Sequence, residues 1–135
     1  MADTTPATKT NTEWHLLDAK EQAVGRLATQ AAGLLLGKHR PDAVPHGVLP
    51  IQVVIVNADE AVFSGAKEEA KRYSRYTGYP GGLRQRTVRE QRQLDSRRLI
   101  SDAVSGMLPK NKLRAIRMQQ LKVYRGADHP HQAQL

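Results

Sequence analysis

The sequence predicts an α/β fold, in the form of a single three-layer α/β/α domain with a mostly parallel central sheet and basic irregular loops. Two observations favour it. An amphipathic helical stripe lies between two strand-like segments, and the second segment is an uninterrupted β-branched run, typical of a strand buried on both faces of a parallel sheet. The length of 135 residues suits one domain with a core of its own.

The first half contains the elements of a βαβ unit. Residues 13–19, EWHLLDA, alternate loosely and predict a first strand. Apolar residues at 24, 27, 28, 31, 34 and 35 predict a helix that ends at Gly37, with Pro41 just beyond. Residues 51–58, IQVVIVNA, predict the buried second strand, and residues 61–65 predict a short strand that ends in a turn.

The second half begins with a polar, basic segment at 66–76, which does not resemble a strand, followed by a loop with the sequence TGYPGGLR. Thr87 is a predicted N-cap for a short helix through residue 93. Asp95 or Ser96 is the predicted N-cap of a second helix, which ends near Gly106 and Pro109. A third helix at roughly 111–120 and a short strand at 121–124 follow. The apolar side of the third helix is predicted to carry Leu113, Ile116 and Gln120.

The predicted boundaries are a flexible N-terminal tail at 1–12, the α/β domain at 13–126 and an irregular C-terminal tail at 127–135. No apolar run reaches the roughly 20 residues that a membrane-spanning helix needs, and the first residues resemble neither a secretory signal nor a transit peptide. We therefore expect a cytoplasmic protein without a membrane partner.

Basic residues are concentrated in the second half of the chain. Residues 1–64 hold 5 basic and 7 acidic side chains, whereas residues 65–126 hold 16 basic and 5 acidic ones, and the whole chain carries a net charge of +8. This asymmetry predicts a folded platform that carries a surface for a polyanion. The alternative is a basic face that is merely solvated.

Catalytic signals are weak. The chain has no cysteine, so a metal site would depend on the five histidines and the acidic residues. His129 and His131 have only Asp128 as a nearby acid, and we interpret them as structural or RNA-contacting. His39 and His46 have no carboxylate at helical spacing that would mark a general base, and no phosphate-loop motif or nucleophile elbow is present. We expect no enzyme activity, no cofactor, no metal and no small-molecule substrate.

RNA fits the basic half better than DNA does. Between residues 71 and 86, cations alternate with tyrosines beside Gly78, Gly81 and Gly82, which permit close approach of the backbone. Core packing is the alternative role for Tyr73. A second basic block surrounds the third helix, also next to a chain break. Zinc-finger spacing, leucine heptads and a clear recognition helix are absent from the sequence.

Seven short motifs resemble the bacterial type of large-subunit ribosomal protein thirteen, the L-thirteen family. In chain order they are GRLA (25–28), GKH (37–39), PH (45–46), NAD (57–59), TGYPGGL (77–83), GMLPK (106–110) and LKVYRGADHPHQAQ (121–134). The resemblance covers roughly 13–134. Two departures stand out: GVLPIQ (47–52) replaces an acidic, glycine-containing stretch, and Arg75 and Tyr76 stand where histidines are frequent, keeping a cation and a flat ring.

The resemblance implies a structural constituent of the large ribosomal subunit that binds large-subunit rRNA, contacts neighbouring ribosomal proteins and supports early assembly. Two alternatives stay open: an RNA-binding translational regulator acting off the ribosome, and a small α/β nucleotide-dependent enzyme. The predicted RNA-binding residues are Lys71, Arg72, Arg75, Tyr76, Thr77, Gly78, Tyr79, Gly81, Gly82, Arg84, Arg86, Lys110, Lys112, Arg114, Arg117, Lys122, Arg125, His129 and His131.

Overall fold

A parallel sheet forms the centre of the protein. The computed structural model describes residues 11–135, so most of the predicted N-terminal tail lies outside the described residues. Strands β1 (Glu13–Asp18) and β5 (Leu121–Val123) each pair in parallel with β2 (Ile51–Val56), which gives the order β1-β2-β5. The two predicted strands of the βαβ unit and the short final strand are confirmed.

Helix α1 (Val24–Leu36) connects β1 to β2 and supplies much of the core. Its stripe of Leu27, Ala28, Ala31 and Leu35 is almost fully buried against β2. The helix ends as predicted at Gly37, which adopts the left-handed conformation (φ +75°) and donates its N–H to the carbonyl groups of the last turn. A Cβ at this position would collide with Leu49, so the helix end and the following loop both require glycine.

The two faces of the sheet are covered differently. Alternation along β1 places Glu13, His15 and Leu17 on the face that packs against α1, and it places Trp14 on the opposite face. On that opposite face the C-terminal segment contacts the sheet, since the ring of His131 lies 5.0 Å from that of Trp14. The fold is thus mixed α/β with a mostly parallel sheet, and these contacts do not confirm the predicted three-layer arrangement.

The segment between β2 and the long third helix differs from its prediction. Residues 61–65 do not form a strand, because Val62 makes only an isolated bridge to Ala23. A short helix α2 (Lys67–Ala70) is followed by an antiparallel hairpin of β3 (Arg72–Tyr76) and β4 (Leu83–Thr87). The prediction that 66–76 contains no strand was wrong, since polar residues pair in a hairpin most of whose side chains are exposed.

Helix α3 (Val88–Met107) contains the two helices that the sequence predicted. Thr87 accepts a hydrogen bond from the N–H of Glu90, whose side chain accepts one from the N–H of Thr87 in return, so both partners of a capping box are present. The helix is interrupted at Asp95, which has extended backbone angles (φ −159°, ψ 103°). Asp95 Oδ1 accepts from the N–H of Arg97 and so caps the second part.

Helix α4 (Leu113–Gln119) is shorter than predicted, and its buried side is different. Ile116 is 46% exposed, whereas Arg117 is only 2% exposed. The predicted apolar side was therefore wrong about Ile116, because the helix turns Arg117 and the partly buried Met118 toward the core. Among the helices of residues 11–135, none combines the length and the hydropathy needed to cross a bilayer.

Candidate nucleic-acid interface

The hairpin brings the first basic block onto one surface. Arg75 lies directly opposite Arg84, and Tyr73 lies opposite Arg86, so these four side chains share one face of the two-stranded ribbon. Directly opposed cations repel each other and destabilise a hairpin unless an anion lies between them. This arrangement favours an external polyanion.

The cations of this hairpin lack carboxylate partners. Lys71, Arg72, Arg75, Arg84 and Arg86 are all exposed, and none of them belongs to an ion pair formed within residues 11–135. Lys71 lies over the ring of Tyr73, with its Nζ 5.3 Å from the ring centre. The half-buried Tyr73 therefore packs under Lys71, and burial, followed by the charge of Asp102, raises the pKa of its hydroxyl.

A polar cleft of about 250 Å³ separates this face from α3. Arg75, Arg84 and Arg86 line it from the hairpin, while Arg98 and Asp102 line it from the helix. Asp102 is paired with Arg98 at 3.7 Å, and with four arginines and one acidic residue the lining of the cleft carries an excess of positive charge. The positive charge and the volume of the cleft suit a phosphate group.

Aromatic and apolar groups are exposed at the tip of the hairpin. Tyr76 is 65% exposed, Tyr79 is 74% exposed, and Leu83, opposite Tyr76, is 56% exposed. Rings held in solvent at the end of a basic ribbon are suited to stacking on unpaired bases.

The glycines of the loop have different structural roles. The N–H of Gly82 donates to the carbonyl of Tyr79, and Gly81 has φ +69°, so Pro80 and Gly81 occupy the central positions of a type II turn. Gly82 is buried. A Cβ at this position would collide with the Thr77 side chain and lie 2.8 Å from the Tyr79 carbonyl oxygen. The loop itself requires Gly82, and only Gly78 and Gly81 present bare backbone to solvent.

The second basic block is less uniform than predicted. Lys110 and Lys112 are exposed and Arg114 is half-buried, whereas Arg117 is buried and donates from Nη2 to the carbonyl of Gly47 at 3.1 Å. Arg125 is paired with Asp59 at 3.2 Å, and Lys122 donates to the carbonyl of Gln119 at 2.7 Å. Arg117 is a structural residue here, since its guanidinium cannot reach an external ligand.

The C-terminal histidines pack against the fold. His131 Nε2 lies 2.7 Å from the hydroxyl of Tyr124, and the N–H of His131 donates to Nδ1 of His129. With the tilted contact between the rings of His131 and Trp14, these contacts favour the structural role over RNA contact for His131.

Comparison with known proteins gives the decisive observation. The family model described as Ribosomal protein L13 matches residues 12–130. The chain belongs to the ribosomal protein L13 family. Because this is a family of structural proteins, membership also confirms the prediction that the chain is not an enzyme.

Relatives in the L13 family match nearly the whole chain. The large ribosomal subunit protein uL13 of Micrococcus luteus is 48% identical over 122 residues, which are 90% of this chain and 83% of the relative. The uL13 protein of Caldanaerobacter subterraneus is 48% identical over 90% of this chain and 85% of its own length. That of Solibacter usitatus is 44% identical over 92% of this chain and 87% of its own.

The L13 fold gives a role to one segment that the sequence left open, and to one residue that the sequence did not single out. The divergent segment 47–52 has a structural role, because the Gly47 and Leu49 carbonyl groups accept hydrogen bonds from Arg117 and Gln120. Arg98 was not predicted as a site residue, since its position four residues before Asp102 resembles an ordinary surface ion pair on a helix. Recognising β3 as a strand would have placed the hairpin over α3 and included Arg98.

Proposed function

We propose that this protein is a structural constituent of the large ribosomal subunit in cytoplasmic ribosomes, where it binds large-subunit rRNA and supports early assembly. The observation that carries the proposal is the hairpin of β3 and β4, in which Arg75 and Arg84 face each other and the exposed cations have no carboxylate partner within residues 11–135. The relatives named large ribosomal subunit protein uL13 support the ribosomal role. Neighbouring ribosomal proteins are the other expected partners.

Residues 13–126 act as the rRNA-binding domain in this proposal, with the βαβ half as a platform, and residues 127–135 act as an irregular tail. The predicted three-layer arrangement of the platform stays a prediction. Phosphate groups bind to the exposed cations of the hairpin and to Lys110, Lys112 and Arg114, while Tyr76 and Tyr79 stack on bases. Arg117 and Gly82 are excluded from the contact surface because both are buried.

Co-sedimentation tests the function. Tagged protein expressed in a bacterial host should co-sediment with large ribosomal subunits and should stay with them through a high-salt wash that removes loosely associated factors. Small subunits from the same gradient serve as the control. Equal recovery with both subunits after the wash, or recovery with messenger RNA outside ribosomal particles, would contradict the proposal, and the second result would favour the translational regulator.

A further inference from the structure

Three potential metal ligands meet where β1 begins and α1 ends. Glu13 and His15 are two residues apart on β1 and therefore lie on the same face of the strand. The left-handed turn at Gly37 directs the chain back toward β1 and places His39 beside them. One ligand atom from each of the three residues lies within 4.8 Å of the others.

We propose that Glu13, His15 and His39 bind a divalent transition-metal ion, for which Zn²⁺ is the best match. Two imidazoles and one carboxylate form the ligand set of open Zn²⁺ sites, in which water takes the fourth position. Imidazole ligands also favour Zn²⁺, Ni²⁺ and Cu²⁺ over Mg²⁺ and Ca²⁺, which prefer oxygen ligands. The expectation of no metal rested on sequence neighbours, and it missed a cluster whose members are up to 26 positions apart.

The geometry is close to that of a loaded site. Nε2 of His15 and Nε2 of His39 lie 2.7 Å and 3.0 Å from the same oxygen, Glu13 Oε1. Bonds of about 2.0–2.1 Å in a tetrahedral shell separate neighbouring ligand atoms by roughly 3.3 Å. Oε1 thus lies a few tenths of an ångström closer to each nitrogen than in such a shell, and the two nitrogens lie within 4.8 Å of each other, so an ion would enter after small movements of all three side chains. The half-exposed side chains leave a path from solvent.

The two imidazoles contact the carboxylate differently. Nε2 of His39 forms a well-aligned hydrogen bond with Oε1, whereas the buried Nε2 of His15 lies 2.7 Å from the same oxygen in a poorly aligned contact. A poorly aligned contact satisfies a buried nitrogen less well than coordination of an ion would.

Arg40 carries a positive charge beside the proposed site, and this charge would repel a bound metal ion. Its Nη1 lies 3.7 Å from Glu13 Oε2, the oxygen turned away from the histidines. Asp42 binds the same guanidinium through two hydrogen bonds of 2.9 Å and 2.8 Å, which neutralise it and hold it on that side. Glu13 can therefore contact Arg40 with one oxygen and the ion with the other.

Zinc titration of the full chain tests the proposal. Protein stripped of metal with a chelator should bind one Zn²⁺ by calorimetry, and its melting temperature should rise as Zn²⁺ is added. His15→Ala and His39→Ala should each weaken binding by at least about tenfold, the smaller end of the loss seen even for residues that only support metal ligands. His46→Ala is the matched control, since His46 is exposed in the same loop but lies outside the cluster.

A measurement on the unsubstituted protein covers the case in which a variant fails to fold. In proton NMR spectra, Zn²⁺ should shift the ring signals of His15 and His39 and leave those of His46, His129 and His131 unchanged. Absence of saturable binding, equal loss in His46→Ala, or shifts confined to His129 and His131 would overturn the proposal. None of these outcomes bears on rRNA binding, which uses other residues.

Discussion

Arg75 and Arg84 face each other across the β3–β4 hairpin, and no carboxylate of residues 11–135 forms an ion pair with either of them. In the free protein this arrangement costs stability through repulsion. In the proposed complex with rRNA the same arrangement would become favourable, because a phosphate group could bind between the two guanidinium groups. Function and stability therefore make opposite demands on this pair.

The first prediction uses that opposition. Arg75→Gln combined with Arg84→Gln should weaken rRNA binding and lower the magnitude of the salt slope by about 0.7–0.9, the contribution of the one phosphate that the two arginines share. The free energy of unfolding should stay the same or rise. Filter binding across a salt series and urea unfolding provide the two measurements.

The matched control removes two charges from the platform. Lys20→Gln combined with Arg26→Gln eliminates two exposed cations of the first half. It should leave the salt slope nearly unchanged if the charges of the hairpin act locally. An equal loss of slope in both double variants would show that net charge alone determines binding.

The second prediction separates Arg117 from Lys112, which lie on and beside the same short helix. Arg117→Ala should lower the free energy of unfolding by about 1–3 kcal/mol, because the buried Arg117 side chain and its hydrogen bond to the partly buried Gly47 carbonyl are lost. Its salt slope should match that of the parent. Lys112→Ala should give the reverse result, with unchanged stability and a slope reduced by roughly 0.7–0.9. A reduced slope in a folded Arg117→Ala variant would restore Arg117 to the contact surface.

The platform could be predicted from the sequence because its signals are local. The stripe of α1, the glycine at its end and the β-branched run of β2 are each contained in a few residues. The N-cap at Thr87 and the start of a second helix at Asp95 or Ser96 are equally local, and the structure has the N-cap at Thr87 and the break at Asp95. Strands β1 and β5 each pair with β2, and these strands are far apart in the sequence. The spacing of apolar residues along the chain does not show which strands pair.

The hairpin was missed for a physical reason. RYSRY and LRQRT lack an apolar face, because these strands do not cover a core. They are held by pairing with each other and by packing of β4 and α2 against α3. Because the strand was missed, the cleft was missed too, and with it the position of Arg98 in the lining. The requirement of the turn for Gly82 also depends on contacts that appear only in the folded loop.

The third prediction concerns the two glycines of the turn. Gly81→Ala places a side chain in open space at a positive φ and should cost about 1–2 kcal/mol. Gly82→Ala should cost more and change the amide signals of the whole hairpin, because the new Cβ collides with the Thr77 side chain and the Tyr79 carbonyl. Urea unfolding and amide NMR measure both effects. Equal costs with an unchanged hairpin would refute this account of Gly82.

The fourth prediction uses Gly65 to separate strain from RNA contact. Gly65 and Gly81 have nearly the same positive φ, +65° and +69°, and a Cβ at either meets nothing within 4 Å. Gly65→Val and Gly81→Val should therefore destabilise the free protein by similar amounts. Only Gly81→Val should weaken rRNA binding, since only this glycine lies at the tip of the hairpin. Equal rRNA binding by the two variants would contradict the proposal that the bare backbone at Gly81 lies close to rRNA.

The last prediction concerns pH and the break in α3. The hydrogen bond from the Arg97 side chain lowers the pKa of Asp95; burial opposes this shift, while the Arg97 N–H and charge add to it. A carboxyl group with a lowered pKa in the folded state stabilises the protein above its ordinary value of about 3.9, and this stabilisation disappears as pH falls through the folded pKa. Because the pair is partly exposed, its contribution should stay below about 1 kcal/mol.

Two substitutions separate the charge of Asp95 from its capping role. Asp95→Asn keeps a capping oxygen and should be less stable than the parent at pH 7, with a difference that shrinks to nothing below the folded pKa. Asp95→Ala also loses the cap and should cost about 1 kcal/mol more at either pH. Urea unfolding at pH 7 and at the lowest pH at which the protein stays folded checks both. If Asp95→Asn is as stable as the parent at pH 7, the ion pair with Arg97 contributes nothing, and the break depends on the backbone cap alone.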